Sequence, residues 1–175
     1  DLPVDITCTD GTASIIKSSG SISINFARLS NIQALGGATF FANNSSDIIG
    51  NSGWTFSPPV PKILYWVGNT GNWNDISHWS ISSGGISNGC IPTMYDNVVF
   101  DGNSFTGGGH SVNITEPAFC KDMTWTSVSN VPTLAGNKEF NVYGSLTLSP
   151  QMNLIHTSFL NFRSTTPMNL ISSGL

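Results

Sequence analysis

Gly85-Ile86-Ser87-Asn88-Gly89 carries the G-x-S-x-G spacing that, set between a strand and a helix, strains a serine into a nucleophile. Here the five residues close the Ser/Gly-rich stretch Ser82 to Gly89 and run into Cys90-Ile91-Pro92, with no helical pattern behind them. They read as a loop. Asp75, Asp96 and Asp101, each with Asn nearby, are the calcium candidates, because turns of extracellular β-solenoids can gather carboxylate and amide oxygens around that ion. The EF-hand spacing is missing, and an Asp in a turn ordinarily caps its own backbone. Trp66, Trp73 and Trp79 offer either a platform on which sugar rings stack or a set of rings that packs over a first coil and closes its core.

The remaining chemistry-bearing residues are scattered. His78, His110 and His156 have no partners arranged by sequence, and no two of Cys8, Cys90 and Cys120 form a CxxC half-site, so zinc is not expected. Cys90 and Cys120 flank one strand-rich stretch and are the disulfide candidates in an oxidising compartment; buried thiols are the alternative. Glycoside chemistry would need two carboxyls held a few ångströms apart, and the ten acids, mostly in turns, nominate no pair. Six bases spread along the whole chain argue against a polysaccharide lyase.

Composition sets the frame for these residues. The 175-residue chain is 39% apolar but only 9% charged, with a net charge of −4. Asn, Ser and Thr together fill roughly a third of it, far above ordinary usage. Such a surface is solvated by amides and hydroxyls instead of ions. No Lys/Arg cluster exists to hold a phosphate backbone, so nucleic acid is not an expected partner. No polybasic segment or apolar run of spanning length is present, so direct membrane insertion is not expected. Asp1-Leu2-Pro3-Val4 does not read as a leader, which places any export signal outside these residues.

The elements that must position the candidates are short strands. Ile22, Ile24 and Phe26 alternate with Ser21, Ser23 and Asn25, the two-residue period of a half-buried strand. A short turn is expected near Asn31–Leu35, and Asn43-Asn44-Ser45-Ser46-Asp47 reads as a loop. Pro58-Pro59-Val60-Pro61 then breaks the chain, since prolines lack the donor a central strand needs. The division expected is 1–57, a Pro-rich linker 58–62, and 63–175. Beyond the break, Tyr65 to Ser80 reads as two short strands or a hairpin around a turn. From His110 on, the pairs Val112/Ile114, Met123/Trp125, Phe140/Val142, Leu146/Leu148, Met152/Leu154, Leu160/Phe162 and Met168/Leu170 recur with turn residues between them. Brief strands at such spacing without helices fit an all-β solenoid or, as the alternative, a β-sandwich. Two echoes favour the solenoid: Met-Asn-Leu at 152–154 and again at 168–170, and Leu170-Ile171-Ser172-Ser173-Gly174 against Ile15-Ile16-Lys17-Ser18-Ser19-Gly20. Coils of roughly 20–25 residues would let Asn and Ser form ladders along the stack.

Tyr65-Trp66-Val67-Gly68, Gly71-Asn72-Trp73, His78-Trp79-Ser80, Asp96-Asn97-Val98-Val99-Phe100-Asp101, Met123-Thr124-Trp125-Thr126 and Tyr143-Gly144-Ser145-Leu146 share one likeness. They resemble the repeat module of giant Bacteroidota cell-surface adhesins exported by type 9 secretion, the gliding-motility adhesin among them. Gly36-Gly37-Ala38-Thr39-Phe40 and Asn51-Ser52-Gly53-Trp54-Thr55-Phe56 resemble the closing part of the same module. The order is permuted: residues 1–57 match the C-terminal part of one module, and 63–175 the N-terminal part of the next, opening with an aromatic cap.

The resemblance implies right-handed parallel β-helix modules in a secreted filament at the bacterial cell surface, serving adhesion and gliding motility. It supplies no catalytic residues. The function expected is therefore structural and adhesive, not enzymatic, with calcium as the one cofactor to test for. Expected partners are neighbouring modules of the same long chain and surface glycans or other cell-surface proteins. The rivals are a carbohydrate-binding module built on Trp66, Trp73 and Trp79, and part of a β-helical polysaccharide-degrading enzyme.

Overall fold

Sequence alternation becomes stacked parallel coils. The computed structural model describes residues 2–175, and the chain divides into two compact units, Leu2–Val60 and Pro61–Leu175, parting between Val60 and Pro61 inside the proline-rich break. Among the described residues there is no α-helix, only one 3-10 turn at Ile76–His78.

In the 2–60 unit a first coil holds β1 (Val4–Thr7), β2 (Ala13–Ile16) and β3 (Ser21–Asn25). The second holds β4 (Ala27–Ser30), β5 (Ile32–Leu35) and β6 (Thr39–Asn43), and a shorter third has β7 (Ser46–Ile49) and β8 (Trp54–Phe56). Like strands pair in parallel, giving the sheets β1-β4-β7, β2-β5 and β3-β6-β8. Ala27, Leu29 and Ile32 form the buried centre, with Ile6, Ile15, Ile24, Trp54 and Phe56 packed on it.

Polar residues hold the corners of these coils. Asn31 takes a positive φ of 58°, and its amide donates to the Cys8 carbonyl one coil back at 3.0 Å. One coil on, Asn51 donates to the Leu29 carbonyl at 2.8 Å and accepts from the Ile32 N–H at 2.9 Å. Side-chain amides bridge coils again where Asn43 donates to Ser23 Oγ and Asn44 to Asn25 Oδ1. This is how a chain poor in charge stays ordered: amides close the backbone groups that each corner leaves open.

Two expectations fail in this unit. Residues 32–35 are strand β5, not a turn, because the pairing of Ile32 with Ala13 and Leu35 with Ile16 outweighs the local pattern. Of the expected loop 43–47, only Asn44 and Ser45 lie outside the strands; Asn43 ends β6, and Ser46 and Asp47 belong to β7.

The 61–175 unit starts with β9 (Ile63–Trp66), β10 (Gly71–Asn72) and β11 (Trp79–Ser80). Its coils continue through β12 (Asn97–Phe100), β13 (Ser111–Ile114), β14 (Ala118–Cys120), β15 (Met123–Trp125), β16 (Thr133–Gly136) and β17 (Phe140–Val142). They end with β18 (Leu146–Thr147), β19 (Asn153–His156), β20 (Leu160–Phe162) and β21 (Leu170–Ile171). Three sheets result: β11-β9-β12-β15-β18-β21, β10-β13-β16-β19 and β14-β17-β20. Every pairing is parallel except β11 on β9, which runs antiparallel and sits at the outer edge of its sheet.

Parallel pairs between strands separated by a whole coil define a β-solenoid and exclude the sandwich, whose sheets are antiparallel. The two Met-Asn-Leu echoes are not stacked equivalents. Leu154 lies in β19 and pairs with Leu134, whereas Leu170 lies in β21 and pairs with Leu146. What repeats is the inward aliphatic position, and it does so without a matching word of sequence.

Candidate functional site

The aromatic stretch is the interior of the first turns of the 61–175 unit. Strand alternation turns Leu64 and Trp66 of β9 inward, and the antiparallel return through β11 brings Trp79 opposite Trp66. Trp66, Trp73 and Trp79 are all 0% exposed. Trp79 meets Trp66 edge to face at 5.2 Å and Trp73 at 4.9 Å, and Phe100 of β12 closes against all three. Below it, Phe100 stacks on Trp125 at 4.1 Å. A sugar-stacking platform needs an open ring face, and these three rings have none; that candidate site is replaced by a core.

His78 completes this packing. Its ring lies parallel to Trp66 at 4.6 Å, and Nδ1 donates to the Val67 carbonyl at 2.8 Å. The far face lies so close to Gly71 that any Cβ there would run into the imidazole. Gly71 is therefore glycine because the histidine occupies the space.

The three aspartates are turn locks. Asp75 caps the 3-10 turn, accepting from the Ser77 N–H at 2.9 Å, and hydrogen bonds from the Ser77 hydroxyl and backbone hold its carboxyl below the usual value. Asp96, 4% exposed, has both oxygens engaged: Oδ1 accepts from the Lys62 N–H at 3.0 Å, and Oδ2 from the Thr93 N–H at 2.9 Å and hydroxyl at 2.7 Å. Asp101 accepts from the Asn103 N–H at 2.9 Å. Asp75 and Asp101 answer donors a few residues away, and Asp96 joins the nearby Thr93 to the distant Lys62. Among the described residues no group of three or more His, Cys, Asp or Glu side chains converges on a common point.

Cys90 and Cys120 are not joined; all three cysteines are free thiols. Cys120 points into the core from β14, and burial, reinforced by Asp122, pushes its thiol pKa well up. Cys90 is half-buried against the same core, with Lys62 Nζ 3.2 Å from its sulfur. Ser87 shows no nucleophile geometry, since its hydroxyl donates to the Ile76 carbonyl at 3.0 Å in an exposed loop.

Sequence reasoning missed two features. A shallow cleft crosses the sheet of β10, β13, β16 and β19, lined by Asn72, Asn113, Thr115, Asn137, Ile155 and Thr157. The turn-rich spacing of its Asn and Thr residues was visible, but their convergence depends on stacking over several coils. The second is an apolar cavity of ≈ 90 Å³ at the last coil, walled by Leu134, Phe140, Leu146, Leu154 and Leu160 among others. Comparison with family models, with curated proteins and with solved structures finds no match to this chain.

Proposed function

We infer that this chain is a non-enzymatic, structural and adhesive segment of a large secreted filament at the bacterial cell surface, serving attachment and gliding motility. The observation that supports this best is where the large side chains lie. The rings that would make a binding or catalytic surface are spent on an uninterrupted core from Leu64 to Met152. Asn72, Thr115 and Asn137 face outward along the coils, beside exposed aliphatic residues such as Ile63 and Ile155.

Such a stack works mechanically. Backbone hydrogen bonds between coils run along the stacking direction, and each coil adds about 4.8 Å of reach. The resemblance of the Tyr-Trp-Val-Gly and Gly-Trp-Thr-Phe blocks to modules of type 9-exported adhesins adds the location and the partners: neighbouring modules, and surface glycans or proteins. Beads carrying the purified chain should be retained on glycan-coated or cell surfaces above bare beads. Retention no better than bare beads, or depolymerisation of a glycan by the chain, would sink this reading.

The cleft over β10, β13, β16 and β19 favours a second reading, in which the chain itself binds glycan. The exposed amides of Asn72 and Asn137 and the hydroxyl of Thr115 are the donors and acceptors a sugar needs. Paired Asn72→Ala and Asn137→Ala substitutions should then abolish bead retention on glycan while leaving the fold intact by circular dichroism.

A further inference from the structure

The open ring face that Trp66, Trp73 and Trp79 lack exists in the 2–60 unit. Alternation along β6 turns Phe40 and Ala42 into the core, 3% and 0% exposed, and leaves Phe41 between them pointing outward at 36%. β6 is the middle strand of β3-β6-β8, so Phe41 has a paired strand on either side. Its exposure belongs to the outer face of the sheet and not to an open edge. Phe40, facing the other way, meets Trp54 edge to face at 5.4 Å and anchors the strand that carries the outward ring.

The surroundings of Phe41 follow from register. Ser23 of β3 and Thr55 of β8 pair with it directly. Thr39 and Asn43 share its side of β6, and Ser21 and Asn25 take the same side of β3. Each of these residues carries a hydroxyl or an amide, none is charged, and all but Asn43 are exposed. With strands about 4.8 Å apart and about 3.3 Å per residue along them, the face measures about 10 by 13 Å. Lys17 reaches only its margin, where the ammonium donates to the Ser21 carbonyl at 3.0 Å.

A line of hydrogen bonds beside the ring sets the polar groups. Ser57, the residue after β8, donates its hydroxyl to Asn43 Oδ1 at 3.2 Å, and Asn43 Nδ2 donates to Ser23 Oγ at 2.8 Å. Because Ser23 Oγ accepts from the amide, its own proton is left for a ligand. Ser57 spends its proton on Asn43 and offers lone pairs. An aromatic face among oriented donors and acceptors suits a pyranose, with axial C–H groups over the ring and hydroxyls at the rim.

We propose that Phe41 and the Ser, Thr and Asn residues around it form a binding platform for a neutral glycan of equatorially substituted pyranoses, such as a β-linked glucan. Phe41 supplies the stacking contact, and Ser23, Thr55 and Ser57 hold the rim hydroxyls. A uronic or sulfated chain finds no cation on the face to offset the loss of its hydration. The proposal rests on the adhesive reading for the presence of glycan and adds a site and a sugar class. It lies in a different unit from the cleft over β10, β13, β16 and β19.

Cellotetraose titrated into the full, isotope-labelled chain tests this through amide NMR shifts. Shifts should concentrate at Ser23, Phe41, Asn43 and Thr55; no shift at millimolar sugar, or shifts confined to the 61–175 unit, overturns the platform. Trigalacturonate should bind at least about tenfold more weakly, and equal binding refutes the preference for a neutral chain. Phe41→Ala and Phe41→Leu should each weaken cellotetraose binding at least about tenfold, while Phe41→Tyr retains it. Parent-like binding by Phe41→Leu would overturn ring stacking. The paired Asn72→Ala and Asn137→Ala substitutions should leave cellotetraose binding unchanged; its loss there would assign the sugar to the cleft and overturn the proposal. Beads retained on cells by a chain that binds no cellotetraose would refute the platform and leave the adhesive reading standing.

Discussion

Trp79 donates its indole N–H to the backbone carbonyl of Trp73 across 2.8 Å, and the two rings meet edge to face. The Trp125 indole N–H, equally buried, has no partner among the described residues. The two tryptophans should therefore answer differently to the same change. Trp79→Phe removes a satisfied donor and leaves a buried carbonyl short, so it should cost about 1–3 kcal/mol beyond the lost packing. Trp125→Phe removes an unsatisfied donor and should cost less. Denaturant midpoints of the two variants check the order; equal losses would refute it.

Asp96 closes the first turns of its unit by accepting from Lys62 and Thr93 at once. In Asp96→Ala these donors lose a buried, charged acceptor, and stability should fall by about 2–3 kcal/mol. Calcium should change the melting temperature of neither the parent nor the variant, because the carboxylate's oxygens are already engaged. A calcium-dependent rise in the parent that the variant lacks would return Asp96 to the metal candidates.

Much of the solenoid is legible in the sequence because inward positions are set by a period of two. Val112 and Ile114, Phe140 and Val142, and Met123 and Trp125 were readable as pairs and are all buried. Parallel register was not readable, since Leu134 meets Leu154 and Leu146 meets Leu170 through contacts a whole coil apart. The Met-Asn-Leu echo misled for that reason. At the candidate site, residue types suggested surface chemistry for Trp66, Trp73 and Trp79, yet only the antiparallel return of β11 shows that the rings face one another. The Asp96 lock joins residues on both sides of β9, β10 and β11, and no local motif announces it.

The thiols should separate by burial. Cys8 and Cys90 are partly exposed and should react with a soluble disulfide reagent in the folded chain, while Cys120 should react only after unfolding. Because the folded Cys120 pKa is raised, its contribution to stability is intact below the unfolded thiol value of about 8.5 and is lost as pH climbs from there towards the folded value. Unfolding midpoints should therefore decline on the alkaline side. A third thiol reacting as fast as the other two in the native chain would refute the assignment.

Asp75 works in the opposite direction. Its folded pKa is lowered by the Ser77 hydroxyl and backbone N–H, so its contribution is present above the unfolded value of about 3.9 and fades as pH falls through the folded value. The effect should be small, because the group is exposed. Asp75→Asn should flatten the acid limb of the stability profile below about pH 4 and leave the neutral region nearly unchanged. An unaltered acid limb would mean that the cap contributes nothing measurable.

Gly136 and Gly109 share a positive φ but not a setting. Gly136, at the end of β16, has φ 135°, and a Cβ there would meet the backbone of Ile114 in the coil before it. Gly109, with φ 77°, has open space around it. Gly109→Ala should therefore show only the left-handed backbone cost of about 1–2 kcal/mol. In Gly136→Ala the methyl must also push β13 and β16 apart where Ile114 pairs with Gly136 and Gly136 with His156, so the loss should be clearly larger. The disturbance should spread along that one sheet. Hydrogen exchange in the two variants separates the causes: faster exchange at β13, β16 and β19 in Gly136→Ala, with the other two sheets unaffected, is the expected pattern. Equal melting losses at the two positions would show that coil spacing tolerates the added carbon.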